Sequence, residues 1–167
     1  AFMTDRQRTE LVATVVKHNA GRMRLAVQVT DNSAGRIVDN MKWAADLGAD
    51  VAVIAPPYFF PTPRPETLYE LYAEAAAASP LPVGIYDRGR HGAVVVPNTI
   101  LRRVYALPQV TMLKDSSSDP ERARIALAAR RKRPELLVLD GDEWVADQYV
   151  KLGYDGLLLG GAVFNAH

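Results

Sequence analysis

Six short apolar runs recur along the chain, and helical patterns lie between them. Each run is too short for a helix, and each is rich enough in valine, isoleucine and leucine for a strand buried on both faces. Their starts are roughly 25–30 residues apart, the size of one βαβ unit. The alternation predicts an α/β fold with a parallel sheet. The runs are Arg24–Thr30, Asp50–Pro56, Pro82–Asp87, Val110–Asp115, Leu136–Asp142 and Gly156–Ala162.

The segments between the runs carry helix signals. Thr4 is a predicted N-cap, and Asp119 is a predicted N-cap before Pro120. Pro97 is a suitable first residue for a further helix. Two apolar stripes at helical spacing predict buried helix faces: Ile37, Met41, Ala44, Ala45 and Leu47 in one, and Leu68, Leu71, Tyr72, Ala75 and Ala76 in the other.

An open doubly wound sheet and a closed (β/α)₈ barrel both fit this alternation. The open sheet should carry a glycine-rich phosphate turn after its first strand, and no G-x-G-x-x-G occurs there. A barrel should gather polar groups at the carboxyl ends of several strands, which these runs do. A full barrel needs eight strands and about 250 residues. The chain is therefore either an open sheet or part of a longer barrel.

Composition excludes several functions. The 167 residues are 49% hydrophobic and carry a net charge of +1, so one core is expected and no global field attracts nucleic acid or a membrane. There are no cysteines, which removes disulfides, thiolate metal sites and cysteine nucleophiles. No apolar run approaches the roughly 20 residues of a membrane span. We expect a cytoplasmic protein.

A lysine ends one of the apolar runs. In the stretch VTMLKDSS, an outward Leu113 would leave Met112 and Lys114 facing the barrel interior, because side chains alternate along a strand. An inward lysine loses hydration, which favours the free amine, and a free amine can attack a ketone to form an imine. The alternative is a rim lysine that forms an ion pair with Asp115 or Glu143.

A tyrosine ends the preceding run at the same depth. Parallel neighbouring strands would bring Tyr86 toward Lys114, where its phenol could move a proton during imine formation and C–C cleavage. The alternative is a core tyrosine whose hydroxyl reaches solvent.

At these residues the chain resembles the dihydrodipicolinate synthase / N-acetylneuraminate lyase family. The segment from Gly48 to Gly89 is similar to that family's fourth strand, Pro-Tyr loop, helix and fifth strand, and VTMLKDSS resembles its lysine-bearing strand. LLVLDGDEWVADQYVKLGYDGLLLGGAVFN resembles its seventh and eighth strands, and FMTDRQRTELVATVVKHNAGR resembles the helix after its second strand. The resemblance covers essentially the whole chain.

The resemblance implies a (β/α)₈ TIM barrel, present here as a partial chain with about six of the eight strands. Residues 1–167 would form a single barrel domain that lacks the first two strands and the C-terminal helices. It implies a homo-oligomer, a dimer or tetramer, that binds pyruvate or another 2-keto acid as an imine without a cofactor. Lys114 would form the imine and Tyr86 would move the proton. Further substrate contacts would come from Arg90, Gly141, Asp142, Glu143 and Gly161.

Departures from the family pattern affect the expected reaction. Phe59 stands where a second tyrosine often completes a proton relay, and Asp87 stands where asparagine often follows the shuttle tyrosine. Together with the absent carboxylate-binding loop, these argue against dihydrodipicolinate synthase itself. They favour an aldolase or dehydratase of 2-keto-3-deoxy sugar acids, or another member of the family without an assigned reaction.

Other functions stay open at this point. Gly160 and Gly161 could bind phosphate, which supports an imine-forming aldolase of phosphorylated sugars, although no basic residue accompanies them. A catalytically inactive barrel that binds a keto acid is another alternative. Asp31, Asp142 and Glu143 offer oxygen ligands, but their spacing predicts no metal site.

Overall fold

The computed structural model describes residues 3–59 and 64–161. Within these ranges the chain forms six strands and six α-helices that alternate. The strands are β1 (Ala26–Gln28), β2 (Val51–Ile54), β3 (Val83–Asp87), β4 (Val110–Asp115), β5 (Leu137–Asp140) and β6 (Gly156–Leu157). The helices are α1 (Asp5–Asn19), α2 (Ala34–Asp46), α3 (Pro65–Ala77), α4 (Asn98–Val104), α5 (Pro120–Lys132) and α6 (Ala146–Leu152).

The strands form one parallel sheet in sequential order from β1 to β6. A doubly wound sheet would reverse its strand order at a switch point. Sequential order with right-handed crossovers instead places every helix on the same face, as in a barrel. The structure therefore confirms the partial (β/α) barrel and removes the open doubly wound sheet.

All six predicted strands are present, but most are shorter than the apolar runs. The last run was expected to extend to Ala162, whereas regular pairing covers only Gly156–Leu157. The reason is visible in the pairing, because β5 offers this strand only Leu139 and Asp140 as partners. Ala162 itself lies outside the described residues.

Helix starts follow the capping signals closely. Thr4 caps α1 and exchanges hydrogen bonds with Gln7, and the Asp119 carboxylate accepts from the Glu121 amide at the start of α5. Pro97 is the N-cap of α4 rather than its first helical residue. Proline suits either position because it brings no amide hydrogen to satisfy.

The core lies mainly between the sheet and its helices. Strand residues such as Ile54, Ile85 and Leu113 pack there against buried helix side chains, including all five residues of the α3 stripe. A second, smaller cluster lies on the opposite, inner face of the sheet. It consists of Val51, Val53 and Met112, with Tyr86 and Leu139 packed against it.

A bulge in β4 sets the register between β3 and β4 at the carboxyl end of the sheet. Val83 pairs with Val110, but Gly84 pairs with Met112, so Thr111 is an extra residue. Such an insertion exchanges the two faces of the strand beyond it. As a result Leu113 faces the helices while Met112 lies in the inner cluster.

In residues 3–59 and 64–161, no helix has the length and apolar character required to cross a membrane.

Candidate active site

Lys114 and Tyr86 lie side by side on the inner face of the sheet. They are register partners on β3 and β4, one residue before each strand ends. The Lys114 Nζ is 4.6 Å from the centroid of the Tyr86 ring. Both side chains are half-buried. The predicted juxtaposition of these two residues is therefore present.

Lys114 forms no ion pair within the part of the chain that the structure describes. Asp115, the alternative partner, faces the helices instead, where its carboxylate accepts from the Tyr154 hydroxyl at 2.7 Å and the Ser117 amide at 2.8 Å. Glu143 accepts a hydrogen bond from the Gly161 amide. The structure thus does not show the ion-paired rim lysine.

Gly141 packs directly under the Lys114 side chain. A Cβ at this position would lie 2.5 Å from Lys114 Cε and 3.1 Å from Cγ. The Gly141 amide donates to the Asp115 carbonyl at 2.7 Å, which fixes the turn after β5. Gly141 therefore supplies space for the lysine chain, because any larger side chain would displace it.

Ser116 is a site residue that sequence reasoning missed. A Cβ placed on Gly141 would lie 2.3 Å from the Ser116 Oγ and 2.5 Å from Lys114 Cε. Ser116 and the Lys114 side chain therefore border the same small space above Gly141. The Ser116 Oγ is buried and has no hydrogen-bond partner among the described residues. A buried hydroxyl without a partner is unusual and available to a ligand. The serine-rich context of SSS after Lys114 was the only signal in the sequence.

A cavity of about 530 Å³ opens at the carboxyl ends of β3, β4 and β5. It brings together four of the five predicted substrate-binding residues: Gly141, Asp142 and Glu143 after β5, and Arg90 from the loop after β3. The lining residues are Arg90, His91, Ser116, Ser118, Gly141, Asp142, Glu143, Trp144 and Val145. Lys114 and Tyr86 lie next to this cavity, beyond Gly141 and Ser116.

Arg90 brings a positive charge to the cavity lining, and Asp142 and Glu143 bring negative charges. Arg90 and His91 come from the short 3₁₀ turn Gly89–His91, whereas Asp142 and Glu143 follow β5. Trp144 lies in the turn before α6, and 92% of its surface is exposed. The cavity can therefore receive a polar molecule with an anionic end.

Gly161 lies behind Glu143 rather than on the cavity wall. Its amide donates to the Glu143 carboxylate, and a Cβ on Gly161 would lie 3.0 Å from Glu143 Oε1. Gly160 is also near this carboxylate, at 3.5 Å from a Cβ position. The glycine pair thus borders a negative charge.

Three aspartates end β3, β4 and β5 on the outer face, directly behind the site. Asp87, Asp115 and Asp140 are register partners, and at most 3% of each is exposed. Arg122 from α5 donates one Nη to both oxygens of Asp87, at 2.7 and 2.8 Å. Asp140 Oδ2 is buried without a hydrogen-bond partner among the described residues.

We call Asp87, Asp115 and Asp140 the outer row, and burial raises the pKa of two of them, Asp115 and Asp140. Loss of hydration raises the pKa of Asp115, although hydrogen bonds from Ser117 and Tyr154 oppose the shift. Loss of hydration also raises the pKa of Asp140, and the nearby charges of Asp142 and Asp115 add to the effect. The hydroxyl of Tyr105 also has a raised pKa, because it is fully buried beside Asp87.

Asp31, considered above as an oxygen ligand, is not gathered at the site, and neither is His18. Asp31 forms an ion pair with Arg36 at 2.9 Å, and no cluster of three metal-ligating side chains occurs in residues 3–59 and 64–161. His18 is exposed on α1, and its ring bonds the Thr14 carbonyl. His167 lies outside the described residues.

The fold and the site together define a (β/α) barrel protein whose polar groups lie at the carboxyl ends of its strands. The model of the dihydrodipicolinate synthetase family matches residues 1–166. The chain belongs to this family.

Relatives found by sequence and by structure carry the same family name. The chain is 32% identical over 160 residues to 4-hydroxy-tetrahydrodipicolinate synthase from Xanthomonas campestris, which covers 95% of the chain and 51% of that protein. It is similar to dihydrodipicolinate synthase from Bacteroides thetaiotaomicron, with a TM-score of 0.84 and 30% identity over 97% of the chain and 54% of the other.

A second solved structure is the dihydrodipicolinate synthase from Acinetobacter baumannii complexed with pyruvate. The likeness has a TM-score of 0.86 at 26% identity, and covers 96% of this chain and 54% of that one. The chain spans about half the length of the relatives it matches.

Proposed function

We propose that this protein is a Schiff-base-dependent lyase or aldolase, or a dehydratase, that acts on pyruvate or on 2-keto-3-deoxy sugar acids. The observation that carries the proposal is the Lys114 amine over the Tyr86 ring, at the carboxyl edge of the sheet. Family membership supports it, since relatives are named as 4-hydroxy-tetrahydrodipicolinate synthases and one is complexed with pyruvate.

Lys114 is proposed to form the imine. Its amine attacks the keto carbon to give a carbinolamine, which loses water to form the protonated imine. The positive nitrogen then accepts the electron pair released when the bond beta to the original carbonyl breaks. The products are an enamine on Lys114 and an aldehyde, and protonation and hydrolysis of the enamine return the lysine.

Tyr86 is proposed to move the protons of these steps. Its phenol is next to the amine, so it can give a proton to the hydroxyl that leaves the carbinolamine. The same oxygen can take the proton of the substrate hydroxyl as the C–C bond breaks. Ser116 supports this arrangement, because its buried, unpartnered hydroxyl borders the lysine chain.

Substrate binding is proposed for the cavity residues. Arg90 offers a guanidinium for an anionic group of the substrate, and guanidinium–carboxylate pairing is strong. Asp142 and Glu143 offer acceptor oxygens that suit hydroxyl groups on the distal carbons. Gly141 keeps the lysine chain in place, and Gly161 holds the Glu143 carboxylate by its amide.

Phosphorylated sugars are disfavoured as substrates. The phosphate alternative depends on Gly160 and Gly161, and the side chain nearest to both is the Glu143 carboxylate. A negative charge at this place would repel a phosphate. The assembly into a dimer or tetramer, the extent of the domain and the cytoplasmic location stay predictions.

Borohydride trapping tests the proposal. Borohydride reduces an imine between pyruvate and the protein to a stable amine, which mass spectrometry detects. We expect one pyruvate adduct on the wild-type chain, no adduct on Lys114→Ala and an unchanged adduct on Lys151→Ala, since Lys151 is an exposed lysine paired with Asp147. An adduct that persists in Lys114→Ala, or none on the wild type, would contradict the proposal. An adduct without turnover of any sugar acid would identify the inactive keto-acid binder.

A further inference from the structure

Ser118 has an unusual backbone conformation for a residue other than glycine. It lies on the loop between β4 and α5 with a φ of +52°. Among the described residues, the other non-glycine with a positive φ is Ala20, the C-cap of α1. A side chain at such a φ crowds the backbone, so glycine would be the less strained choice here. An outlier of this kind beside a functional site is a reason to ask what its side chain does.

Both sequence neighbours of Ser118 are held in place. Ser117 is 3% exposed, and its amide donates to the Asp115 carboxylate at 2.8 Å. Asp119 caps α5, and its own amide donates to the Ser117 hydroxyl at 3.2 Å. These contacts fix the backbone on either side of Ser118 without using its hydroxyl. Ser118 itself is exposed and lines the cavity.

The Ser118 hydroxyl donates to the carboxylate of Asp142, which follows β5. The Trp144 amide donates to the other oxygen of that carboxylate at 3.1 Å. One donor on each oxygen fixes the orientation of the carboxylate, and each oxygen keeps a lone pair for a further donor. Asp142 has no ion-pair partner in the part of the chain that the structure describes, so no cation competes for these lone pairs.

Asp142 lies close to the lysine that is proposed to form the imine. It follows Gly141 directly, and a Cβ on Gly141 would lie 2.5 Å from Lys114 Cε. Since consecutive Cα atoms are about 3.8 Å apart, the Asp142 Cα is at most about 8 Å from Lys114 Cε. Gly141 and Asp142 both line the cavity, so the tail of a keto acid bound to the amine can extend along this wall to the Asp142 carboxylate.

We propose that Ser118 is a positioning residue for substrate specificity: it holds the Asp142 carboxylate so that this group accepts a hydrogen bond from a hydroxyl on the tail of the 2-keto acid. The inference rests on the proposed function and narrows its substrate class to keto acids with a hydroxylated tail. A carboxylate is an acceptor, so a hydrocarbon tail against it would leave it without a donor. A site built in this way rejects the analogue that lacks the hydroxyl.

The test compares two keto acids of equal chain length by borohydride trapping. 2-Keto-3-deoxyhexonate, used as its gluconate and galactonate isomers, carries hydroxyls on its last three carbons, and 2-ketohexanoate carries none. For each acid we would measure the concentration that gives half-maximal total adduct, intact and cleaved, and take the ratio as the preference for hydroxyls. We expect the wild-type chain to prefer one hydroxylated isomer by about tenfold or more, the effect of one hydrogen bond to a charged acceptor.

Two changes at Ser118 separate its hydroxyl from its backbone. Ser118→Ala keeps a side chain at the positive φ, whereas Ser118→Gly removes the strain, and both remove the hydroxyl. Each should lower the preference for hydroxyls roughly fivefold, less than full loss of the acceptor, because Asp142 remains but is held by one donor fewer. A preference that Ser118→Gly retains and Ser118→Ala loses would overturn the proposal, since the backbone would then be the cause.

Ala20 provides the matched control. It has a φ of +47° at the end of α1, which leads to the amino end of β1 and so lies at the opposite end of the barrel from the site. Ala20→Gly relieves the same kind of strain, so its urea midpoint should shift in the same direction as that of Ser118→Gly. Its preference should stay within about twofold of the wild type, because a distant change is independent of the site. A fivefold loss here would overturn the proposal.

Asp142→Ala completes the test as a double-mutant cycle. This change should lower the preference at least as much as Ser118→Ala, and combining the two should lower it no further, because both act on one interaction. Additive losses would overturn the inference, as would a wild-type chain without a preference for hydroxyls, and both results leave the proposed function standing when adducts depend on Lys114. The absence of any keto-acid adduct on the wild-type chain would overturn the proposed function and this inference together.

Discussion

The ends of β3 and β4 carry different kinds of polar group on their two faces. On the inner face, Tyr86 and Lys114 are half-buried and touch each other without an ion pair among the described residues. On the outer face, Asp87 and Asp115 are buried and receive donors from helices and loops. Adjacent residues in the sequence thus separate into a sparsely bonded inner pair, to which we assign the proposed chemistry, and an outer pair with many hydrogen bonds.

The difference suggests how the proposed imine-forming amine can be held in place without an ion pair. A carboxylate beside Lys114 would bind its amine in an ion pair and compete with the substrate for it. The chain instead places the carboxylates one residue further, where strand alternation turns them away from the amine. Hydrogen bonds on the outer face fix the strand ends. The amine of Lys114 makes no ion pair among the described residues, which leaves it accessible to the proposed substrate.

Exchanging tyrosine for phenylalanine on each face would test this division most strongly. Tyr86→Phe should slow imine formation by roughly 10²–10⁴-fold, because the proton shuttle is lost. Tyr154→Phe removes the outer hydroxyl that donates to Asp115, so it should cost about 1–3 kcal/mol of unfolding free energy and leave the rate nearly unchanged. Trapping kinetics and urea denaturation measure the two effects. The division of roles is wrong if Tyr154→Phe slows the chemistry as much as Tyr86→Phe does.

A methyl group placed under the lysine should have the next largest effect. Gly141→Ala brings a Cβ to 2.5 Å from Lys114 Cε, so the amine must move. We expect imine formation to slow by up to ~10²-fold, the cost of misplacing a reacting group by about 1 Å. Gly156→Ala is the matched control on the neighbouring strand, because its Cβ meets only Leu139 at an ordinary 3.6 Å. Similar trapping rates in both variants would show that Gly141 has no role in holding the lysine.

Much of the fold could be predicted from the sequence because its signals are local. Apolar runs indicated all six strands, and capping residues such as Thr4 and Asp119 marked helix starts. Alternation from Leu113 correctly placed Lys114 on the inner face. Family membership, indicated by the motifs around Tyr86 and Lys114, is confirmed by the match over residues 1–166.

The parts that were missed depend on contacts between distant residues. The bulge at Thr111 sets the register of Tyr86 with Lys114, and no local pattern distinguishes it from regular strand. Arg122 lies 35 positions after Asp87, so no spacing connects them. Ser116 becomes a site residue only through its approach to Gly141, which the turn after β5 creates.

From the burial of Asp140 we expect a small, pH-dependent effect on the free energy of unfolding. Burial raises the pKa of this carboxyl in the folded chain, so between its unfolded and folded pKa values the folded state binds more protons. The contribution of Asp140 to the free energy of unfolding therefore falls as the pH rises through that window. Asp140→Asn stays neutral at every pH, and at pH 7 it should be more stable than the wild type by about 1 kcal/mol, since the buried oxygen without a partner no longer carries charge.

That gain should shrink as the pH falls toward about 4, where Asp140 of the wild type becomes protonated even when unfolded. Urea denaturation at a series of pH values measures it, and Asp39→Asn, an exposed aspartate on α2, controls for the general loss of one negative charge. A gain of equal size at both ends of the series would mean that charge burial at Asp140 is not its origin. The outer row would then support the site by shape and hydrogen bonding alone, and the contrast with the inner face would rest on Asp87 and Asp115.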